Sequence, residues 1–347
     1  MKIFSQKIIS GIIIIFFVLI ILHTSKKKIG VICLNHSYNI GNSLLQYAMS
    51  TKLKELGLIP YMIGTNYKNR KIPFLKKYTN CRIIKKNFSE IKKKEYDLLM
   101  VNSDQTWRKF SNHFYDIAFL KFAQNWKIPK FVYGASLGYS EWRLSKEDDE
   151  MGKKLLRQFS GVSVREKGSV PLVKTHFGIK PIFVLDPTLL IDKRYYLKII
   201  KNFKININSP FIFIYILSKG NNIQKYIRYA SEQLNYKIVK FEIGEINSVE
   251  KFIYGIYNSK AVITNSYHGT LFSIIFNKPF VSFISKNGAK ERLISLKDTL
   301  GIKNRIFEYN EFPNINLLTI PFYLNKTLFN LLKNKSINYL KNNIGIN

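Results

Sequence analysis

Short apolar runs alternate with helical patterns from residue 27 onward, and this alternation limits the chain to few architectures. The first series of predicted strands covers residues 29–34, 97–101, 130–133, 162–165 and 182–185, and the second covers 211–217, 237–241, 261–264 and 279–284. Helices are predicted over 43–56, 222–234, 249–259 and 268–277. Strands that alternate with helices form βαβ units with parallel strands and right-handed crossovers. The pattern therefore predicts an α/β chain with two Rossmann-like lobes and a cleft between them.

The two series are separated by the Asp186-Pro187 break and by a Lys- and Asn-rich stretch at 201–210, which is the best hinge candidate. We therefore predict an N-terminal lobe over residues 26–200 and a C-terminal lobe over 201–310. A helical tail is predicted over 311–347.

The apolar segment before the first strand predicts a membrane anchor. Residues 8–25 carry no charged side chain, and a helix of this length spans about 27 Å, enough for a thin bilayer. No small-x-small pattern precedes the following lysines, which disfavours a cleaved signal peptide. We predict an uncleaved single-pass anchor over residues 1–25. The lysine-rich sequence beyond it favours a cytoplasmic body beside anionic lipid, whereas a secretory-pathway enzyme would have a lumenal body.

The net charge of +33, from 55 basic and 22 acidic residues, admits nucleic acid, an anionic membrane surface or a phosphorylated ligand as partner. No arginine-rich run is interleaved with aromatic residues and no nucleic-acid-binding motif occurs, so nucleic acid is not predicted as a partner. Much of the charge also fits solvated faces. Cys33 and Cys81 are too few for a disulfide framework and lack metal-ligand spacing, so neither a disulfide framework nor a zinc site is predicted.

Ligands of parallel sheets bind beyond the carboxyl ends of the strands, so the loops there hold the candidate site residues. After the first strand, Asn39, Gly41 and Asn42 open a helix whose free N–H groups suit an anion, although a simple cap and turn would use the same residues. Neither GxGxxG nor a Walker A motif occurs, which disfavours a nicotinamide enzyme and a P-loop ATPase.

Polar residues and a tryptophan follow the strand at 97–101. Asp104 and Gln105 offer hydrogen bonds to sugar hydroxyls and Trp107 offers an aromatic face, so this loop is a candidate sugar platform. An Asx-type turn with a core tryptophan is the alternative. After the next strand, Ser136 lies among small residues that allow close approach of the backbone.

An arginine ends the strand at 162–165. The Arg165 guanidinium suits bidentate binding of phosphate or carboxylate, although Glu166 beside it offers a local ion pair instead. Asp186, which precedes a proline, is either a base or part of an Asx turn.

The densest group of reactive side chains lies between the strand at 261–264 and the following helix. Its members are Ser266, Tyr267, His268, Gly269 and Thr270. A histidine at a helix N-terminus can bind an oxyanion or transfer a proton, and the positive helix end lowers its pKa. Lys286 and Arg292 follow the next strand and either complete an anion pocket or are solvated charges.

Taken in order, these motifs resemble those of the polysaccharide pyruvyl transferase family over residues 29–306. The matching segments are Asn39-Ile40-Gly41-Asn42 with Leu45-Gln46-Tyr47-Ala48, Ser103-Asp104-Gln105-x-Trp107, Ala135-Ser136-x-Gly138, Ser163-Val164-Arg165-Glu166, Asp186-Pro187-Thr188-Leu189-Leu190, and Ser266-Tyr267-His268-Gly269-Thr270 with Asn277-Lys278-Pro279-Phe280. Each motif is weak alone, and their order carries the resemblance.

The resemblance implies a GT-B-like fold and a transferase that moves a pyruvyl group from phosphoenolpyruvate to a sugar hydroxyl. The acceptor would be a surface or extracellular glycan or its lipid-linked precursor. Arg165 would hold the donor's phosphate or carboxylate, and His268 would supply the proton or neutralise the departing phosphate. No cofactor or metal is implied.

One departure from the family pattern leaves the donor open. Many members have Arg-Leu-His where this chain has Ser266-Tyr267-His268, so one donor-binding arginine is missing. Lys286 and Arg292 are the candidate replacements. The alternatives are a GT-B-type glycosyltransferase that uses a nucleotide-sugar donor and a non-catalytic glycan-binding relative.

Overall fold

A computed structural model of the protein describes residues 26–34, 39–65, 73–109, 112–204, 206–207, 209–218, 220–241, 248–285 and 290–346. The predicted anchor over residues 1–25 and the candidate Lys286 lie outside the described residues. Within the described ranges, no helix is long and apolar enough to cross a membrane.

The first lobe is built on a seven-stranded parallel sheet. Its strands are β1 (Lys28–Ile32), β2 (Ile59–Thr65), β3 (Asn80–Ile84), β4 (Leu98–Val101), β5 (Lys130–Ala135), β6 (Gly161–Val164) and β7 (Ile182–Phe183), in the order β3-β2-β1-β4-β5-β6-β7. Its helices are α1 (Ile40–Glu55), α2 (Pro73–Tyr78), α3 (Phe114–Phe119), α4 (Lys146–Leu156), α5 (Ser169–Phe177) and α6 (Lys193–Ile199). The central strands β4 and β5 are buried along their whole length, as the apolar runs predict.

The second lobe has a five-stranded parallel sheet. Its strands are β8 (Phe211–Tyr215), β9 (Lys237–Lys240), β10 (Ala261–Thr264), β11 (Phe280–Ile284) and β12 (Ile306–Glu308), in the order β12-β11-β10-β8-β9. Its helices are α7 (Asn221–Leu234), α8 (Ser248–Asn258), α9 (Tyr267–Ile275) and α10 (Lys290–Leu300). The predicted hinge at 201–210 lies between the two sheets, and residues 205 and 208 of it are outside the described residues.

The C-terminal helix α11 (Lys326–Ile344) returns from the second lobe to the first sheet. The Tyr339 hydroxyl donates a hydrogen bond of 2.7 Å to the carbonyl of Val132 in β5, and the tyrosine ring packs on Phe131 and Tyr133. The Leu185 N–H donates to the Ser336 hydroxyl at 2.9 Å. The tail therefore packs on the first sheet at β5 and at the segment after β7.

One hydrophobic core continues from the first lobe into the second. The Tyr196 ring lies 6.1 Å from that of Tyr47 and 4.8 Å from that of Phe272 in α9. All three rings are buried and belong to the same cluster of core residues. This shared core fixes the loops of one lobe opposite those of the other.

Candidate active site

The loops after β4, β6 and β7 meet the loop after β10 at the boundary between the lobes. Arg165, which directly follows β6, contacts Asp104 and Asp186 of its own lobe and the Tyr267 ring of the second lobe. The parallel strands explain this convergence, because their carboxyl ends lie at the same edge of each sheet.

The Arg165 side chain is buried among three carboxylates. Its Nη1 donates to Asp186 Oδ2 at 2.7 Å, its Nη2 to Asp104 Oδ1 at 3.0 Å and its Nε to Glu166 Oε1 at 3.3 Å. Burial alone would lower the pKa of Arg165, but these carboxylates outweigh burial and raise it above its ordinary value. The guanidinium is therefore a fixed cation whose charge is already balanced by neighbouring groups.

Two of the carboxylates respond differently to the same cation. Burial would raise the pKa of Asp104, but the charges of Arg165 and Arg292 outweigh burial and lower it. The pKa of Glu166 is raised, because burial outweighs the attraction of Arg165. Asp104 thus carries the firmer negative charge beside the arginine.

Asp104 also has a strained backbone. Its φ is 97°, in the left-handed region that non-glycine residues rarely adopt, and it forms an isolated bridge with Ala135. The Asp104 carbonyl accepts hydrogen bonds from the N–H groups of Ser136 at 2.9 Å and Thr106 at 2.7 Å. Such strain costs about 1–3 kcal/mol and is typically retained at functional sites.

A second arginine reaches the same place from α10. Arg292 lies 5.4 Å from the centroid of the Tyr267 ring, and Arg165 lies 5.2 Å from it, so two cations share one aromatic ring. Arg292 is half-buried, and its Nε is buried without a hydrogen-bond partner among the described residues. Burial and the repulsion of Arg165 lower the pKa of Arg292. This guanidinium, unlike that of Arg165, has a buried donor available.

His268 occupies the first turn of α9. The Ser266 hydroxyl caps this helix by accepting a hydrogen bond from the Gly269 N–H at 3.3 Å. The His268 side chain is buried, and its Nε2 has no partner in the described part of the chain. Burial, which outweighs the attraction of Asp186, lowers the pKa of His268 to about 4. The imidazole is therefore neutral at pH 7 without a ligand.

The His268 ring is packed against Gly41 of α1. A Cβ atom at position 41 would lie 2.0 Å from His268 Nδ1 and 2.5 Å from its Cε1. Only glycine lets the first turn of α1 approach the ring this closely. The predicted loop at residues 39–42 thus helps to position His268.

The structure corrects the prediction for Trp107. Its indole is 1% exposed, its Nε1 donates to the carbonyl of Ala118 at 3.2 Å, and its ring packs on Phe119 and Phe177. The ring presents no free face to a sugar, because the hydrophobic core of the first lobe encloses it. The alternative of a core tryptophan after a turn is the correct one.

Several other predicted residues support the site from beneath. The hydroxyls of Thr270 and Ser282 share a hydrogen bond, the Ser136 hydroxyl accepts from the Gly138 N–H, and both Thr270 and Ser136 are fully buried. Gly269 lies against Thr264.

The predicted residues at the start of α1 have structural partners. Asn39 caps α1, and Asn42 accepts a hydrogen bond from Gln46. Gln105 is half-buried and lies against Gly138 at the rim of the loop.

Asp186 is the main site residue that the sequence left undecided. Its Oδ1 accepts from the N–H of Thr188 at 3.0 Å, as an Asx turn requires, while its Oδ2 binds Arg165. The sequence feature that indicates its bond to Arg165 is its position just after a predicted strand, at the same edge of the sheet as the loop that follows β6.

The comparisons with known proteins agree with this two-lobed architecture. A model of the polysaccharide pyruvyl transferase family matches residues 39–287. No curated protein sequence matches the chain.

Solved structures of low sequence identity share the fold. S. aureus MnaA with UDP is 14% identical, covering 92% of this chain and 98% of that one with a TM-score of 0.56. The UDP-GlcNAc 2-epimerase of Neisseria meningitidis, bound to UDP-GlcNAc, is 12% identical over 90% and 94%, with a TM-score of 0.52. HepE of Anabaena, in complex with UDP and glucose, is 14% identical over 91% and 95%, with a TM-score of 0.51.

These neighbours confirm an α/β fold of the GT-B-like kind and, at such identities, only the fold. The family model covers well over half of the chain and includes every motif around Arg165 and His268. The chain belongs to the polysaccharide pyruvyl transferase family.

Proposed function

We propose that the protein transfers a pyruvyl group from phosphoenolpyruvate to hydroxyls of a sugar, with release of phosphate. One observation carries the proposal: Arg292 Nε and His268 Nε2 are both buried without a hydrogen-bond partner among the described residues, in a cluster that holds two arginines. A buried guanidinium N–H without a partner is costly, so Arg292 Nε favours an anionic ligand that pairs with it, and His268 Nε2 can donate to the same anion once the ring is protonated.

Arg292 is the better candidate for holding the donor's anionic groups. No carboxylate of the described residues lies within salt-bridge distance of it, whereas Arg165 has three. Arg292 also takes the place of the arginine that many family members have at the position of Ser266. Arg165 then orients the cluster, because its bonds to Asp104 and Asp186 connect three loops.

A bound phosphate beside His268 would raise the pKa of the imidazole, since a nearby anion favours the protonated form. The charged ring can then deliver a proton to the methylene carbon of phosphoenolpyruvate, which leaves oxocarbenium character at C2. One sugar hydroxyl attacks C2, the C2–O bond to phosphate breaks, and a second hydroxyl closes the ketal. The two hydroxyl protons balance the reaction: one restores His268 and the other leaves on phosphate.

The test measures phosphate release and product mass for the full-length protein with phosphoenolpyruvate and a panel of free and lipid-linked sugars. We expect Arg292→Ala to lower kcat/KM about 100-fold or more, because it removes the unmatched cation. The matched control is Arg228→Ala, an exposed arginine on α7. No phosphate release with any acceptor, or equal losses in both variants, would overturn the proposal.

Nucleotide-sugar transfer is the second candidate, and the UDP-bound neighbours favour it. Calorimetry separates the two, because a glycosyltransferase would bind UDP and not phosphoenolpyruvate. A glycan-binding protein without catalysis would bind sugars equally well after His268→Ala and would release no phosphate.

A further inference from the structure

A groove of about 1100 Å³ lies between α11 and the far edge of the first sheet. Its walls are the end of α4, the start of β6, the edge strand β7 and one face of α11. The catalytic cluster lies beyond the carboxyl end of β6, whereas the groove borders its amino end. At about 3.3 Å per residue, β6 separates the two places by ~13 Å.

Among the described residues that line this groove, every charged side chain is a cation. These are Arg157, Lys180 and Lys335, all exposed, and no described aspartate or glutamate lines the groove. None of the three forms a salt bridge with a described residue, although cations elsewhere pair with carboxylates, as Arg82 does with Glu95. Three unmatched cations around one concavity attract an anionic ligand.

The helical wall of the groove carries a row of amides. Asn334, Asn338 and Asn342 are spaced four residues apart, so they lie on one face of α11 at intervals of about 6 Å. All three are exposed, and no described residue bonds to their side chains. Asparagine is a poor helix former, so helix formation does not explain the row. Each amide offers both donors and an acceptor, which suits the hydroxyls of a sugar chain.

Aliphatic side chains flank the polar row. Leu331 is 64% exposed and Ile182 is 42% exposed, although both are large apolar residues. Apolar surface of this kind suits the C–H faces of a sugar ring. Cations, a repeating row of amides and aliphatic edges together match an extended glycan that carries carboxylates.

We propose that this groove binds an acidic polysaccharide chain at a site separate from the catalytic cluster. The identity of this polysaccharide rests on the proposed function. It is the acceptor glycan and, after transfer, also the product, since each pyruvyl ketal adds a carboxylate to the glycan. Binding there would hold a polymer while a reactive unit occupies the cleft. The concave shape and the amide row favour a glycan over an anionic membrane.

The test compares binding of a decameric oligogalacturonate and an uncharged maltodextrin of equal length to the full-length protein. We expect Lys180→Glu/Lys335→Glu to weaken oligogalacturonate binding about tenfold at low salt, and the wild-type affinity to fall as salt rises. The matched control is Lys237→Glu/Lys303→Glu, two exposed lysines of the second lobe. Asn338→Ala/Asn342→Ala, which leaves the charge unchanged, should also weaken binding.

Three results would overturn the groove proposal. The first is no oligogalacturonate binding by the wild type, and the second is an equal loss of binding in the groove and control variants. The third is that the groove variant loses binding to phosphatidylglycerol vesicles but keeps its binding to oligogalacturonate. Phosphate release from phosphoenolpyruvate with a short acceptor is measured in the same variants. We expect it to be unchanged, so a failure of the groove proposal and a failure of the proposed function give different results.

Discussion

The His268 imidazole is buried in the folded protein and solvated in the unfolded chain, which makes stability depend on pH. Its pKa is about 4 when folded against an ordinary 6.5. Between these values the unfolded chain binds a proton that the folded protein does not, so the free energy of unfolding falls as pH falls. From pH 7 to pH 4 we expect this group to account for about 3 kcal/mol.

Urea denaturation of wild type and His268→Gln at pH 7 and pH 4 isolates this effect, because other groups titrate alike in both proteins. Going from pH 7 to pH 4, the wild type should lose more of its free energy of unfolding than His268→Gln does. A difference that stays the same at both pH values would contradict the buried, neutral state of the ring.

At the scale of elements, the first turns of α1 and α9 meet where Gly41 touches His268. Gly41→Ala should favour the helix by about 1 kcal/mol from propensity alone. The added methyl group would overlap the imidazole, so we expect at least a tenfold loss in phosphate release. The double variant Gly41→Ala/His268→Ala should be no less active than His268→Ala alone, since both changes act on one ring. Additive losses would show that Gly41 acts elsewhere.

The strands follow the sequence pattern most closely where burial is uniform. All nine predicted strands are present. Seven of them (β1, β4, β5, β6, β8, β10 and β11) are largely buried runs, which have little alternative to a parallel strand, whereas β7 and β9 are partly exposed edge strands. The strands β2, β3 and β12 were not predicted. β2 contains Pro60 and Gly64, which are depleted in strands, and β3 and β12 are edge strands that are only partly buried.

At the scale of the whole molecule, α11 holds the C-terminal end of the chain on the first sheet. Tyr339 is 5% exposed, and Tyr339→Ala would remove both its ring contacts and its hydrogen bond to Val132. We expect a loss of about 3–5 kcal/mol in the free energy of unfolding, as for other buried aromatic residues. Tyr323→Ala, at a tyrosine that is 80% exposed, is the control and should change it little. Denaturant titration measures both, and similar losses would contradict the anchoring role of α11.

Local periodicity and the order of the motifs are enough to predict the parallel α/β class, the two series of strands and the family. The sequence also identifies His268, Arg165 and Arg292 as candidate site residues. The membrane anchor over residues 1–25 stays a prediction.

The roles of the side chains within the site depend on tertiary contacts that no local pattern contains. Arg165 pairs with Asp104 across 61 residues and with Asp186 across 21, so Arg292 is the arginine of the described site whose Nε is buried without a partner. Trp107 likewise belongs to the core because the fold packs its ring against Phe177, a residue distant in the sequence. Local pattern encodes the period and the turn of a segment, whereas the partner of a buried charge or ring depends on which distant loops the fold brings together.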